Sequence, residues 1–382
     1  MSRNLLPLSA AVAVLAGPAL AEAPQVAVDI APVHSLVARV MDGVGEPVLI
    51  VAPGASPHEY SLRPSEAAAM QDADVVFWIG PDLTPWLEDA LGTLSGEARV
   101  VTLMEADGTV ELPVRENALF EAHDHGDHGD EGHDDHAHDH GHENDAAHEH
   151  AEHDHEEHEE AGHDEHADHD HEAHEEAGHD DHAEHDHADH ADHGHDEHAE
   201  HDEDHAGHGH AHGDHDPHAW LSPDNAATWL NAIAASLSAA DPDNAGAYYA
   251  NAAAGREEID SLKAEIDGIL EPARDGSFIV FHDAYQYFEA AFDLPASGAI
   301  SVSDASDPSP ARVAEIRDRV SEAGVTCVMS EPQFSRGIVE AVTDGAAVNV
   351  GVIDPLGSDL EPGAQLYPQL LRNLATALAE CL

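Results

Sequence analysis

Histidine is the side chain best suited to hold a borderline metal ion near neutral pH, and this chain contains 36 of them. Residues 121–216 hold 32, which leaves His34, His58, His218 and His282 outside that tract. Three of these four stand where a site would be built. His58 lies in the loop Pro53-Gly54-Ala55-Ser56-Pro57-His58-Glu59-Tyr60, after the apolar run Pro47–Ala52. His282 closes the run Phe278-Ile279-Val280-Phe281. His218 falls in Asp216-Pro217-His218-Ala219-Trp220-Leu221-Ser222-Pro223, just before a helix that Asp224 is placed to cap. A carboxylate joins them: Asp354 ends the run Val348–Ile353 and precedes Pro355-Leu356-Gly357. Zinc takes imidazole and carboxylate ligands in a tetrahedron, at ~2.0–2.2 Å. A lone histidine in a loop says little, but three with a carboxylate at strand ends form a coherent ligand set. His34 opens a helix directly after a strand and is assigned to capping or packing.

The elements that must position these residues follow from hydrophobic patterning. Buried strands are expected at Gln25–Ala31, Pro47–Ala52, Asp74–Ile79 and Arg99–Leu103, with helices at His34–Met41, Pro64–Gln71 and Pro85–Leu94. The alternation returns with strands at Ser277–His282, Ala296–Ser301, Thr326–Ser330 and Val348–Asp354, and helices near 284–292, 310–323, 335–345 and 365–381. Strand–helix alternation of this kind predicts parallel sheets covered on both faces, an α/β fold. Ligands bind such sheets beyond the carboxyl ends of the strands, which is where His58, His282 and Asp354 fall. A longer helix is expected over Asn244–Leu270, where Tyr248, Ala252, Ile259, Leu262, Ile266 and Leu270 share one face and Pro272 ends the run. It is either a stiff connector about 40 Å long or an ordinary packing helix.

The formal charge is −66, from 79 acids against 13 bases. Residues 121–216 carry 38 of the acids and no Lys or Arg, and no Leu, Ile, Val, Met or aromatic residue follows Phe120 within them. Such a tract buries too little apolar surface to offset its ordering entropy. Its H-D-H, H-A-D-H and H-D-E-H units suit weak, unselective binding of several divalent ions. The remainder is also acidic, at −28, so nucleic acid is excluded as a partner and cations are favoured. At the N-terminus, Arg3, the apolar run Leu5–Gly17 and Ala19-Leu20-Ala21 read as a secretion signal cleaved after Ala21. The two cysteines, Cys327 and Cys381, then sit in an oxidising compartment, where an even count suggests a disulfide rather than two buried thiols. No H-E-x-x-H motif appears that would suggest a zinc hydrolase.

Five segments together resemble a known family: Gly54–Ser65 (GASPHEYSLRPS), Asp216–Pro223 (DPHAWLSP), Phe281–Phe288 (FHDAYQYF), Glu331–Phe334 (EPQF) and Asp354–Gly357 (DPLG). They are similar to the metal-specific solute-binding proteins of ABC importers, the cluster A-I class, and within it the zinc receptors of ZnuA type. The resemblance implies two (β/α) lobes with mostly parallel sheets, joined by one long rigid helix, with a metal cleft between them and no catalysis. It implies His58, His218 and His282 as ligands of Zn²⁺, with Asp354 or a water in fourth place. Manganese receptors of this class carry a Glu at the position of His282, and manganese prefers hard oxygen donors, so zinc is favoured. The Cys327–Cys381 pair matches a cysteine pair of such receptors. Glu59, Asp283 and Glu331 are candidates to hold an imidazole tautomer.

The expected organisation is a signal peptide at 1–21 and an N-terminal lobe at 22–120, completed by 217–243 after the insert 121–216. A connecting helix at 244–272 and a C-terminal lobe at 273–382 follow. The expected function is a periplasmic zinc receptor, a monomer delivering its ion to the membrane permease of an ABC importer. The alternatives are a periplasmic zinc buffer without an importer, or a receptor for another divalent metal such as manganese.

Overall fold

The computed structural model describes residues 23–115, 213, 215–301, 308–322 and 324–382. The expected signal peptide at 1–21 and nearly all of the expected insert 121–216 therefore lie outside the described residues.

Short, fully apolar runs of β-branched and aromatic residues form the central strands. Val26–Val28 (β1), Val75–Trp78 (β3) and Phe278–His282 (β5) are buried at every position, as expected for parallel strands covered on both faces. With Val48–Leu49 (β2) and Arg99–Thr102 (β4), they build a first sheet of order β2-β1-β3-β4. Ala299–Ser301 (β6), Cys327–Ser330 (β7) and Asn349–Val352 (β8) complete a second, of order β6-β5-β7-β8. All pairings are parallel, and the two sheets share one winding. The expected α/β class holds. Strands stop one to three residues short of several expected ends, at both their amino and carboxyl sides.

Helices Ala31–Val40 (α1), Pro64–Gln71 (α2) and Pro85–Leu94 (α3) belong to the first sheet. Each begins with Pro in its first turn, where the missing N–H costs nothing. Gln286–Phe292 (α6), Pro310–Glu322 (α7) and Arg336–Thr343 (α8) belong to the second. Between them lie Pro223–Ala240 (α4), Ala245–Leu270 (α5) and the C-terminal Leu366–Cys381 (α9). Ser222, rather than the expected Asp224, caps α4: its hydroxyl accepts from Asn225 N at 3.2 Å. Asp224 pairs instead with Lys263 on α5.

The long helix has the expected buried face, Tyr248, Ala252, Ile259, Leu262, Ile266 and Leu270, with Gly255 added. A Cβ at Gly255 would stand 2.9 Å from Leu230 Cδ1, so a larger residue there would require the Leu230 side chain to shift. Helix α5 packs on α1, α4 and α9, so it is both a connector and a core helix. One continuous apolar cluster runs from the first sheet through Trp229, Tyr248 and Leu262 to Phe278 and Leu374. Separate clusters fill the outer faces, one around Trp78 and Leu87 and the other around Ile279 and Val342.

Cys327 opens β7 and Cys381 ends α9; they are disulfide-bonded, with Cα atoms 5.6 Å apart. A closed loop with 54 positions between its ends is worth about 4 kcal/mol in the chain-entropy model. Replacing both cysteines with serine should lower unfolding free energy by that order in denaturant titrations. Affinity for the metal that the sequence leads one to expect should not change, and a large loss of it would contradict the absence of either cysteine from the expected ligand set.

Asp29 ends β1 fully buried, with Oδ1 accepting from Ile30 N and Oδ2 from Ile79 N, each at 2.7 Å. Burial nevertheless pushes its carboxyl up to about 7. The folded state therefore binds more protons than the unfolded chain between about pH 4 and 7, and stability from this group falls as pH rises through that window, by at most ~1.4 kcal/mol per unit. Asp29→Asn should be less stable at pH 4, having lost one acceptor, and should show a shallower pH slope. A slope equal to the wild type would remove Asp29 as its source.

Candidate metal centre

Two loop segments and a strand end deliver the histidines to one place. The first, Pro53–Tyr60, leaves β2 and is pinned by Trp86 of α3, whose Nε1 donates to Pro57 O at 2.7 Å while its ring meets Tyr60 at 5.5 Å. Tyr60 is tied in turn to Glu66 of α2, at 2.8 Å. His58, half-buried, is held at its backbone by Ser56 Oγ at 3.2 Å. The second segment carries His218 and continues into a short turn, Ala219–Leu221. Trp220 there is buried and donates to Pro355 O at 2.8 Å, tying this segment to the loop after Asp354. The third histidine needs no loop, because His282 is the last residue of β5.

The imidazoles of His58 and His218 have centroids 5.5 Å apart, and those of His218 and His282 5.3 Å. Two imidazoles sharing one tetrahedral zinc at about 2.1 Å would have centroids about 5 Å apart. The spacing thus fits the cation the donor set implies. Among the described residues, no three His, Cys, Asp or Glu side chains already converge as a finished ion-holding group.

Carboxylates stand behind two of the rings. Glu331, following β7 and with a fully buried side chain, places Oε1 2.6 Å from His282 Nδ1. Asp216 Oδ1 lies 2.7 Å from His218 Nδ1 and accepts from His218 N at 3.0 Å. A carboxylate on Nδ1 selects the Nδ1–H tautomer, leaving Nε2 as the donor atom toward a metal, and raises its basicity. Burial pushes Asp216 up to about 7, against the His218 N–H and the positive charge of Arg115. Glu331 thus has the tautomer-holding position expected of it. Asp283 instead faces Arg115, and Glu59 is exposed.

Asp354 is engaged in its own turn. Oδ1 accepts from Leu356 N at 2.9 Å and Gly357 N at 3.0 Å, and Oδ2 from Ser358 N at 2.6 Å and Ser358 Oγ at 2.5 Å. Four bonds match the four lone-pair positions of a carboxylate, so ligation would require giving one up. His34 lies in the first turn of α1, buried, with Nε2 3.0 Å from Pro47 O. Desolvation lowers its pKa, in keeping with the packing role expected of it.

Sequence reading alone passed over Asp216, Trp86 and Arg115. Asp216 was signalled by its place two residues before His218 in Asp-Pro-His, a spacing that lets one side chain reach both the backbone N–H and the ring. Trp86 and Arg115 meet the site only through tertiary contact.

The whole architecture is similar to known proteins. A family model described as "Zinc-uptake complex component A periplasmic" matches residues 26–381. The chain is 41% identical over 380 residues to the high-affinity zinc uptake system protein ZnuA of Brucella abortus (strain 2308), covering 99% of this chain and 98% of that protein. It is 39% identical over 378 residues to the protein of that same description from Paracoccus denitrificans (strain Pd 1222), covering 99% and 97%. Among solved structures, a crystal structure of ZnuA superposes with a TM-score of 0.61 at 21% identity, covering 94% of this chain and 99% of that one. A ZnuA deletion mutant with zinc bound gives 0.60 at 21% identity, covering 94% and 98%.

The ring geometry makes a prediction independent of any metal. In metal-free protein at about pH 8.5, two-bond ¹H–¹⁵N correlations should show His218 and His282 as Nδ1–H tautomers. Glu331→Gln should perturb the tautomer of His282 and leave that of His218. Nε2–H rings in the wild type would take the carboxylates out of this role.

Proposed function

Because the chain belongs to the ZnuA family of periplasmic zinc-uptake components, we propose that it captures Zn²⁺ with His58, His218 and His282 and hands the ion to the membrane permease of an ABC importer. The family is one of zinc-binding receptors, not of enzymes. The observation that carries the ligand assignment is the trio of imidazoles from three separate segments, at the 5.3 and 5.5 Å spacings of rings that can share an ion. Carboxylates behind two of them support it, since such pairs orient metal ligands. Three imidazoles also favour zinc over manganese.

In this reading a water takes the fourth position while Asp354 keeps its turn in place. The chain acts as a monomer, is exported by cleavage after Ala21, and binds further ions weakly along its His-rich tract. Capture requires neutral imidazoles, so binding competes with protons; burial and tautomer control raise the affinity of the three-ring site above that of the tract.

Chelator-competition titrations test the assignment. His58→Ala, His218→Ala and His282→Ala should each weaken the tight site at least 100-fold, while His34→Ala should not. Full affinity in any of the first three would remove that residue from the site. Asp354→Ala should cost less, and through its turn.

Deleting residues 123–212 should leave one tight site and abolish only weaker ones, which in the full chain fade as pH falls from about 7 to 6, near the ordinary histidine pKa of ~6.5. Calorimetry at two pH values reads both effects. Loss of the tight site on deletion would mean that the tract supplies one of its ligands.

A further inference from the structure

The stretch entering the His-rich tract and the stretch leaving it run together beside the ligands. Asp216 N donates to Leu112 O at 2.8 Å, and Pro113 pairs antiparallel with His215. This two-stranded strap is bound to the second sheet's first helix, α6. The hydroxyl of Tyr287, buried on α6, accepts from Leu112 N and donates to Asp216 O, each at 2.9 Å. Gln286 Nε2 donates to Pro113 O at 3.2 Å.

Arg115, the last described residue before the tract, closes the strap onto this helix. Its Nε donates to both oxygens of Asp283 at 3.0 Å, and Nη2 also meets Oδ1. Its Nη1 and Nη2 donate to Glu289 Oε2 and Oε1 at 2.9 and 3.0 Å. The side chains are 19%, 6% and 5% exposed for Arg115, Asp283 and Glu289, so the cluster is shielded from water. Asp283 directly follows His282, and the strap continues through Asp216 to His218.

We propose that Arg115 is a positioning residue for zinc binding, fixing the His282 end of the second sheet to the strap that carries Asp216 and His218. The proposal rests on the ligand reading above. A guanidinium can grip two carboxylates in a fixed fork, which an ammonium cannot do. The two imidazoles come from separate segments, His282 from the end of a second-sheet strand and His218 from the stretch leading into α4, and a metal site tolerates errors of only about 0.2 Å in its bond lengths. A contact that sets their separation therefore acts on affinity and not on stability alone. A buried ion pair serving only the fold would leave the metal's geometry untouched once the chain had folded.

The test uses full-length protein, chelator competition with Zn²⁺, and the visible spectrum of bound Co²⁺ as a readout of coordination geometry. Arg115→Lys keeps the charge and loses the fork. It should keep the fold, judged by melting without metal, while zinc affinity drops at least 10-fold, as for other groups that orient ligands, and the Co²⁺ bands change. Arg39→Lys is the control: Arg39 grips Glu258 at 2.7 and 2.9 Å and ties α1 to α5 away from the histidines, so it should change neither readout. Wild-type affinity and an unchanged Co²⁺ spectrum in Arg115→Lys would overturn the proposal.

If Arg115→Lys unfolds, the triple variant Arg115→Met, Asp283→Asn, Glu289→Gln removes the charges together. Weak zinc binding by that folded protein supports the proposal, and wild-type binding overturns it. Retained tight binding in both His218→Ala and His282→Ala would instead defeat the ligand assignment, a result these arginine variants do not produce.

Discussion

A parallel sheet cannot leave either face to water, and here two such sheets meet that requirement with one helical layer in common. Helices α1, α4, α5 and α9 pack on one another between the sheets, and their apolar faces merge with the inner faces of both into one core. Interiors packed this densely deform little. Close contacts within this layer, such as Gly255 of α5 against Leu230 of α4, hold its helices together. Residues at the ends of the two sheets inherit that rigidity. The disulfide between β7 and α9 reinforces the same layer from its second-sheet side.

Both sheets place a carboxylate where their strand order reverses, yet they use it differently. In the first, Asp29 at the end of β1 accepts the backbone N–H of Ile79, just beyond β3. In the second, Glu331 beyond β7 reaches back to the ring of His282 on β5. The first carboxylate is consumed in joining strand ends, and its sheet contributes no strand residue to the imidazole group. The second accepts from an imidazole, and its sheet places His282 directly at a strand end. The other two imidazoles come on segments outside the strands, with Trp86 pinning the loop of His58 and Trp220 tying down the segment of His218.

The polar cluster around the imidazoles is costly to bury. Asp216 and Asp283 are both raised by desolvation, to about 7 and about 6. Among the described residues, Arg115 donates to Asp283 and Glu289 of this group. A divalent cation among the three rings would add a second positive charge to a region already built around carboxylates, consistent with a receptor that selects cations.

Much of this was legible from the residues alone. The period of the apolar runs gave the α/β class, and α2 and α3 begin and end where Pro64, Gln71, Pro85 and Leu94 suggested. The buried face of α5 was written in its three- and four-residue spacing. These features are local: a strand's burial or a helix's amphipathic face is encoded in contiguous residues. The histidines could be ranked because strand-end positions are local too, and the family motifs around them are short. Partnership was not local. Nothing within a few residues of Arg115 says that it meets Asp283 and Glu289 from 168 and 174 positions away. Nor could Asp354 be seen to spend both oxygens on the turn Leu356–Ser358 until the chain's path there was known. The sequence by itself determined which elements form and which side chains can donate to a metal. Tertiary structure alone decided which carboxylate stands behind which ring, because hydrogen-bond partners depend on ångström-scale placement that only the shared core fixes.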